Sequence, residues 1–166
     1  RIWVPGCATG EEAITLAILT EEVMAELGKV VPYKIFATDV SQGAIQKAAL
    51  TTFLPEQMHG LAPEEIEKYF IPVETGFRLK KLMRDRMLFA PLDLTTDPPL
   101  TRMNLVSCRN VLVYLNREVQ KRVLALLHFA LKEGGHLFLG STESVDMLNT
   151  SSFEVVSVGA RIYRRG

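Results

Sequence analysis

A glycine turn followed by two carboxylates is the first feature of the sequence that could bind a ligand. The run Pro5-Gly6-Cys7-Ala8-Thr9-Gly10-Glu11-Glu12 comes directly after a short apolar stretch. Glycines in such a turn let the backbone approach a ligand closely, so Gly6 and Gly10 are candidate binding residues. Glu11 and Glu12 would repel the pyrophosphate that dinucleotide folds bind at this helix start. They suit a ligand with an ammonium and a sulfonium group, although first-turn carboxylates can also serve the helix dipole alone.

Acidic residues follow two further predicted strands. Asp39 comes directly after the second strand, where a carboxylate can accept both hydrogen bonds of a ribose diol. Alternatively, Asp39 binds no ligand and only precedes and caps the next helix. Asp93-Leu94 follows the strand that begins at Met87. The Asp93 carboxylate could accept from the N6 amine of adenine, and the adjacent Leu94 N–H could donate to N1. Alternatively, Asp93 is only a turn residue before Asp97.

Polar residues also follow the predicted strand that begins at Asn104. Here Arg109, Asn110 and Tyr114 interrupt an otherwise apolar run. A buried structural network would explain them as well. However, ligands of open parallel sheets bind outside the carboxyl ends of the strands. Four loops at that edge with suitable groups therefore predict an adenosyl-binding cleft.

The elements that would position these loops follow from hydrophobic patterning. Apolar runs of strand length alternate with helical patterns, which predicts an α/β domain whose mostly parallel sheet has helices on both faces. The predicted strands are Ile2–Pro5, Tyr33–Thr38, Met87–Leu92, Asn104–Ser107, His136–Leu139 and Phe153–Tyr163, and the final pair is expected to be antiparallel. The predicted helices are Glu11–Leu27 ended by Gly28, one capped by Ser41 and running through Leu50, Pro63–Tyr69, and one capped by Asn116 and closed by Gly134-Gly135. We expect the first helix to bury a face made of Ala13, Leu16, Ala17, Leu19, Val23 and Leu27.

One segment departs from this alternation. Phe70–Val73 and Phe77–Leu79 flank a Glu74-Thr75-Gly76 turn and predict a β-hairpin, part of an inserted subdomain at about residues 70–86. Otherwise residues 1–166 are predicted to form one domain. The chain opens inside a strand at Arg1-Ile2-Trp3-Val4. We therefore expect it to be part of a longer protein whose N-terminal region precedes it.

Composition argues against several classes of protein. The 19 basic residues balance the 19 acidic ones, so no excess positive charge attracts nucleic acid or anionic lipid. No apolar run reaches the roughly 18 residues that a membrane span needs, and no membrane insertion is expected. The two cysteines, Cys7 and Cys108, lack metal-ligand spacing, so neither a metal site nor a disulfide is expected. We interpret Cys7 and Cys108 as reduced thiols of a cytoplasmic protein.

Several strings of the sequence resemble one protein family. The run from Trp3 to Glu12 is similar to the cofactor loop of the chemotaxis-receptor protein-glutamate O-methyltransferases, the CheR type. The resemblance extends over nearly the whole chain, and it looks closest to members fused to a methylesterase and to sensory domains. The other similar strings are Phe36-Ala37-Thr38-Asp39, Cys108-Arg109-Asn110-Val111-Leu112-Val113-Tyr114-Leu115, Gly140-Ser141-Thr142-Glu143-Ser144 and Arg161-Ile162-Tyr163-Arg164-Arg165.

This resemblance implies a Rossmann-like class I methyltransferase fold, S-adenosylmethionine as cofactor, and glutamate-bearing helices of receptor cytoplasmic regions as partners. It places Glu12 at the amino-acid end of the cofactor and Asp39 at the ribose. Asp93-Leu94 would frame the adenine and Arg109-Asn110 would line the pocket. Tyr114, with Arg109, would act near the transferred methyl group. The hairpin looks like the family's inserted β-subdomain, which in some members grips a receptor tail.

Three departures from the family pattern stand out. The N-terminal helical domain of the family, which contributes to the active site, is absent from the sequence. Ile14 replaces a tyrosine that is common after the Gly-Glu-Glu string, and Asp93 stands where asparagine is usual. The alternatives that stay open are a catalytically silent cofactor-binding sensor or scaffold, a methyltransferase with another acceptor, and a nicotinamide-dependent oxidoreductase. The carboxylates at Glu11 and Glu12 disfavour the last of these.

Overall fold

The computed structural model describes residues 1–148 and 152–166. Ten strands and five helices make up the described chain, with 3-10 turns at Pro55–Met58 and Leu112–Tyr114. In chain order they are β1 (Ile2–Pro5), α1 (Glu11–Leu27), β2 (Ile35–Asp39), α2 (Gln42–Leu50), β3 (Thr52–Phe53), α3 (Pro63–Tyr69), β4 (Phe70–Val73), β5 (Gly76–Leu79), α4 (Lys81–Arg84), β6 (Met87–Pro91), β7 (Met103–Cys108), α5 (Arg117–Ala130), β8 (Leu131–Leu139), β9 (Phe153–Ser157) and β10 (Ile162–Arg165).

Seven strands form the main sheet, in the order β6-β2-β1-β7-β8-β10-β9. The first five of these pair in parallel, and β10 runs antiparallel to both β8 and β9. The predicted fold class, a mostly parallel sheet that ends in an antiparallel pair, is confirmed. This topology brings the carboxyl ends of β1, β2, β6 and β7 to one edge, where four of the predicted loops begin.

Helices cover both faces of the sheet. Since side chains alternate between the faces along each strand, neighbouring strand residues belong to different cores. Val4 and Ala37 belong to an apolar core on one face, together with α1 and α2. Trp3 and Val106 belong to a second core on the other face, which packs against α5. The indole N–H of the fully buried Trp3 donates to the Thr38 hydroxyl at 2.9 Å. Trp3 is thus a core residue whose polar atom is satisfied.

The buried face of α1 differs in part from the prediction. The buried residues are Ala13, Ile14, Ala17 and Ile18, and the prediction included only the two alanines of this set. The predicted Leu19, Val23 and Leu27 are instead 52%, 48% and 64% exposed. Both sets have helical spacing, so periodicity alone did not identify the covered side. The helix ends as predicted at Gly28, which adopts a left-handed conformation with φ of 63°.

The predicted hairpin is present as β4 and β5, and it gains a third strand. The two residues of β3 pair antiparallel with β5, Thr52 with Arg78 and Phe53 with Phe77, in the order β3-β5-β4. Residue Gly76 lies so close to the Phe53 carbonyl that a Cβ atom would be 2.1 Å from its oxygen. A two-residue strand carries no readable periodicity, and the sequence analysis did not predict it.

The C-terminal end of α5 also differs from the prediction. The Asn116 side chain caps its start by accepting from the Val119 N–H at 2.9 Å, as predicted. However, the helix ends at Ala130 rather than at Gly134-Gly135. The glycines serve an irregularity in β8, where Gly134 has φ of 76° and a Cβ on Gly135 would lie 2.9 Å from the Met103 carbonyl oxygen. Among the described residues, no helix is long and apolar enough to cross a membrane.

Candidate functional site

A cleft of about 500 Å³ lies at the carboxyl edge of the parallel strands. Ligand sites for cofactors commonly measure roughly 300–1,000 Å³. The cleft gathers residues from all four predicted loops, whereas Gly10 and Glu12 are not part of its lining. Its lining residues are Gly6, Ala8, Asp39, Val40, Leu92, Asp93, Leu94, Thr95, Arg109, Asn110, Val111, Tyr114 and Leu115.

The loop after β1 requires glycine at two positions for different reasons. Gly6 has φ of 67°, and a Cβ there would lie 2.5 Å from Cγ2 of Val111. It therefore allows the loops after β1 and β7 to touch at the cleft. Gly10 has φ of 96°, and a Cβ there would lie 3.2 Å from that of Ala48 in α2. Gly10 thus starts α1 and lets it pack closely against α2, away from the cleft lining.

Asp39, at the end of β2, connects two backbone segments beside the cleft. Its Oδ2 atom accepts a hydrogen bond from the Ala8 N–H at 2.9 Å, and Oδ1 accepts from the Ser41 N–H at 2.9 Å. The Ser41 hydroxyl in turn accepts from Ala44 N–H and caps α2 as predicted. A carboxylate has about four acceptor sites. Two protein hydrogen bonds therefore leave Asp39 able to accept from a ligand as well.

Asp93 and Leu94 form the side of the cleft that follows β6. The Asp93 Oδ1 atom accepts hydrogen bonds from the Thr95 N–H at 2.8 Å and the Thr95 hydroxyl at 2.6 Å. These bonds lower the pKa of the Asp93 carboxyl, because they favour its charged form. The Asp97 carboxylate accepts from the Asp93 N–H at 2.7 Å and closes the turn. The side chain is thus held as an ionised acceptor at the cleft.

Glu12 is half-buried at the start of α1 and contacts β7. The hydroxyl of the fully buried Ser107 donates to its Oε1 atom at 2.5 Å. Burial raises the pKa of Glu12, while the bond from Ser107 and the charge of Arg109 oppose that rise. Sequence reasoning singled out Glu12 but missed Ser107, since a serine within an apolar strand gives no signal by itself.

We expect Glu12→Gln to remove a pH-dependent loss of stability. Because burial raises the pKa of Glu12, the folded protein binds this proton more tightly than the unfolded chain does. The free energy of unfolding therefore falls as the pH rises from the unfolded pKa through the raised folded pKa. Thermal melts of the ligand-free protein between pH 4 and 8 should show a smaller fall for the variant. Its melting temperature at pH 7 should exceed the parent's by roughly 2 °C, a modest gain since the carboxylate keeps some contact with water.

Glu11→Gln is the matched control, since Glu11 is the exposed neighbour and its carboxylate accepts hydrogen bonds from Thr9 and Gln57. Its pH profile should follow that of the parent. An equal fall in melting temperature with pH for Glu12→Gln and the parent would show that this carboxyl is not destabilised by burial.

The loop after β7 presents Arg109, Asn110 and Tyr114 to the cleft. The Arg109 guanidinium lies over the Phe138 ring, 4.6 Å from its centroid, and its Nε–H donates to the Leu139 carbonyl at 3.4 Å. Asn110 adopts a left-handed conformation with φ of 59°. Tyr114 ends the 3-10 turn and is 85% exposed. An exposed aromatic side chain at a cleft mouth is available to contact a ligand or a partner.

Glu143 is a site residue to which sequence reasoning assigned no role. It is 4% exposed and lies after the end of β8. Its Oε1 atom accepts from the N–H groups of Asn110 at 2.8 Å and Gly140 at 2.7 Å, and Oε2 accepts from Val113 N–H at 3.3 Å. The sequence did contain one signal for Glu143, because it lies in the Gly140–Ser144 string that resembles the family.

The two cysteines are free and buried. Burial raises the pKa of the Cys7 thiol to about 12, with the charge of Asp39 adding to the effect. Burial also raises the pKa of Cys108 well above its ordinary value. Since the thiolate is the reactive form, burial disfavours nucleophilic chemistry at both residues. The titratable groups that line the cleft are the carboxylates of Asp39 and Asp93, the Arg109 guanidinium and the Tyr114 phenol.

Solved structures match this fold at low sequence identity. The glycopeptide N-methyltransferase MtfA, determined in complex with sinefungin, superposes with a TM-score of 0.50 and 14% identity, covering 83% of this chain and 42% of its own. At that identity the match concerns the fold alone. Together with the strand order, it defines a Rossmann-like fold of the class I S-adenosylmethionine-dependent methyltransferases.

The chain belongs to the CheR methyltransferase family, as its S-adenosylmethionine-binding domain, and the family match covers residues 1–162. This confirms the resemblance seen in the sequence, and S-adenosylmethionine is the cofactor. The chain is 39% identical over 164 residues to an uncharacterized 104.1 kDa protein of Rhodobacter capsulatus, covering 99% of this chain and 17% of that protein. It is 34% identical over 153 residues to chemotaxis protein methyltransferase 1 of Pseudomonas aeruginosa, covering 89% of this chain and 56% of that protein. The chain thus spans less than two thirds of either relative.

Proposed function

We propose that this domain transfers a methyl group from S-adenosylmethionine to glutamate side chains of chemotaxis-type receptors, giving glutamate methyl esters. The observation that carries the proposal is the cleft at the carboxyl edge of the sheet, where Asp39, Asp93 and Arg109 from three different strand ends line one space of about 500 Å³. Its polar groups match an adenosyl ligand with a diol and an amine.

The residues of the cleft fit this cofactor in type and placement. Asp39 would accept hydrogen bonds from the ribose diol, because both of its oxygens retain acceptor capacity. Asp93, ionised by its bonds to Thr95, would accept from the adenine amine beside the Leu94 N–H. Glu12, half-buried and outside the cleft lining, would attract the ammonium end of the cofactor, and that charge would favour the ionised form of the Glu12 carboxyl.

When bound, the cofactor supplies a methyl group on a positively charged sulfur. The acceptor carboxylate is ionised at neutral pH, so the domain needs no strong general base. The work left to its residues is to orient the reactants and exclude water. Arg109 and Tyr114 lie on the loop after β7 and would line the reaction side of the cleft. Tyr114, whose side chain is largely exposed, would cover the methyl-bearing end of the cofactor.

The choice of acceptor is supported by the relatives. A chemotaxis protein methyltransferase shares 34% identity with this chain. Receptor helices that carry methylatable glutamates are cytoplasmic, and the protein would act there. The 104.1 kDa relative, of which this domain matches 17%, supports a role within a larger multidomain signalling protein.

The first test is ligand binding. We expect S-adenosylmethionine and S-adenosylhomocysteine to stabilise the domain and NAD to leave its melting temperature unchanged. A ligand present at about 100 times its dissociation constant adds ~2.7 kcal/mol of stability. This should raise the melting temperature by roughly 5–10 °C. A larger shift with NAD than with either adenosyl ligand would contradict the cofactor fit.

The second test is turnover. Radiolabelled methyl transfer to a receptor cytoplasmic fragment should give base-labile counts, as methyl esters hydrolyse readily. A fragment whose glutamates are changed to alanine is the control. Cofactor binding without any transfer to the intact fragment would instead support a catalytically silent sensor or scaffold.

A further inference from the structure

Glu143 joins the segment after β8 to the loop after β7 by accepting hydrogen bonds from backbone N–H groups. It lies after β8, more than 25 residues along the chain from the loop of Arg109 to Tyr114. Its carboxylate accepts one N–H from its own segment, that of Gly140, and two from the distant loop, those of Asn110 and Val113. A buried carboxylate with three N–H donors is strongly oriented.

Gly140 packs closely against Asn110 and the Glu143 carboxylate. A Cβ on Gly140 would lie 2.5 Å from the Asn110 side-chain oxygen and 2.7 Å from the Glu143 Oε1 atom. Asn110 itself adopts a left-handed conformation, which asparagine accommodates more readily than most residues other than glycine. Because its N–H is bound by Glu143, the turn that directs Arg109 and Asn110 into the cleft is stabilised against relaxation to an ordinary conformation.

The same loop reaches the first cofactor loop. The Val111 side chain occupies the space that a side chain on Gly6 would need. The loop after β7 therefore contacts both the loop after β1, at Gly6, and the segment after β8, at Glu143. Removing its charge would release the loop after β7 and loosen the contact with Gly6.

We propose that Glu143 is a positioning residue for methyl transfer: it holds the loop of Arg109 to Tyr114 in the form that binds cofactor and covers the methyl group. It acts through the backbone N–H groups of Asn110 and Val113 rather than by touching the reactants. The proposal rests on the function proposed above and assigns a role to a residue outside the cleft lining.

Glu143→Gln tests it with a side chain of the same size. The amide keeps one acceptor oxygen but sets an NH2 group against a backbone donor. We expect the dissociation constant for S-adenosylhomocysteine, measured by calorimetry, to rise at least tenfold. Hydrogen exchange at the Asn110 and Val113 amides should quicken by about the same factor. In the transfer assay, kcat should fall beyond the effect on binding, since the loop also carries Tyr114.

Glu154→Gln is the matched control, because Glu154 is an exposed carboxylate that pairs with Arg164 on the neighbouring strand. It should leave affinity, exchange and kcat within twofold of the parent. If Glu143→Gln does not fold, Gly140→Ala disturbs the same contact from the opposite side and should give the same pattern of losses.

Two results would overturn the proposal. One is a folded Glu143→Gln whose exchange rates and affinity match the parent. The other is faster exchange in the loop with unchanged affinity and kcat, since the order of the loop would then be irrelevant to the reaction. A parent protein that binds no adenosyl ligand would refute the proposed function itself, and the exchange data would still show whether Glu143 holds the loop.

Discussion

Replacing Asp39 with alanine is expected to weaken the binding of S-adenosylhomocysteine by roughly 30- to 1,000-fold. Two hydrogen bonds from a ribose diol to an ionised acceptor contribute about 2–4 kcal/mol, which corresponds to that range of affinity. The structure adds a second reason. The carboxylate also accepts from the Ala8 and Ser41 N–H groups, so its loss leaves the first cofactor loop and the start of α2 less well held.

Calorimetry on folded variants measures this effect. Asp39→Asn should fall between the alanine variant and the parent, because the amide keeps one acceptor oxygen but loses the charge. Asp85→Ala is the matched control, since Asp85 is an exposed carboxylate that pairs with Lys81 on α4. It should bind as the parent does. Less than a threefold loss in a folded Asp39→Ala protein would remove this residue from the cofactor site.

Tyr114→Ala is expected to lower the rate of methyl transfer by about 100-fold while changing cofactor affinity by no more than about threefold. Most of the cleft lining would stay in place, because Asp39, Asp93 and Leu94 lie on other loops. What the variant loses is the side chain that would cover the methyl-bearing end. Misplacing the reactants by about 1 Å, or admitting water between them, costs on the order of 100-fold in rate.

Single-turnover transfer to a receptor fragment measures the chemical step separately from binding. Tyr114→Phe shows whether the ring or the hydroxyl matters, since it keeps the cover and removes the hydrogen bond. Phe129→Ala is the control, because Phe129 is an exposed aromatic residue on α5, 64% exposed, that does not line the cleft. Parent-like transfer by Tyr114→Ala would exclude the tyrosine from the active site and leave Arg109 as the remaining candidate on that loop.

The sequence by itself was sufficient to predict the alternating architecture and the edge where a ligand would bind. Each prediction there depended on local signals. The strand Ile2–Pro5 and the helix Glu11–Leu27 have the predicted bounds, because a glycine turn separates a short apolar run from a helical pattern. The sequence placed Asp39, Asp93 and Arg109 at one edge of the sheet, since parallel strands bring their carboxyl ends together whatever their order. Their roles with the cofactor remain predictions.

Only the tertiary structure decided which helix face is covered and which distant groups meet. Ala13 and Ala17 belong to both apolar stripes of α1, which have the same helical period. The fold buries these two small residues together with Ile14 and Ile18, and it leaves Leu19, Val23 and Leu27 exposed. The pairing of Glu12 with Ser107 and of Glu143 with the Asn110 loop joins residues 95 and 33 positions apart. Such contacts leave no periodic trace in the sequence. They form because every buried backbone N–H and carboxylate needs a partner, and the fold determines which one is within reach.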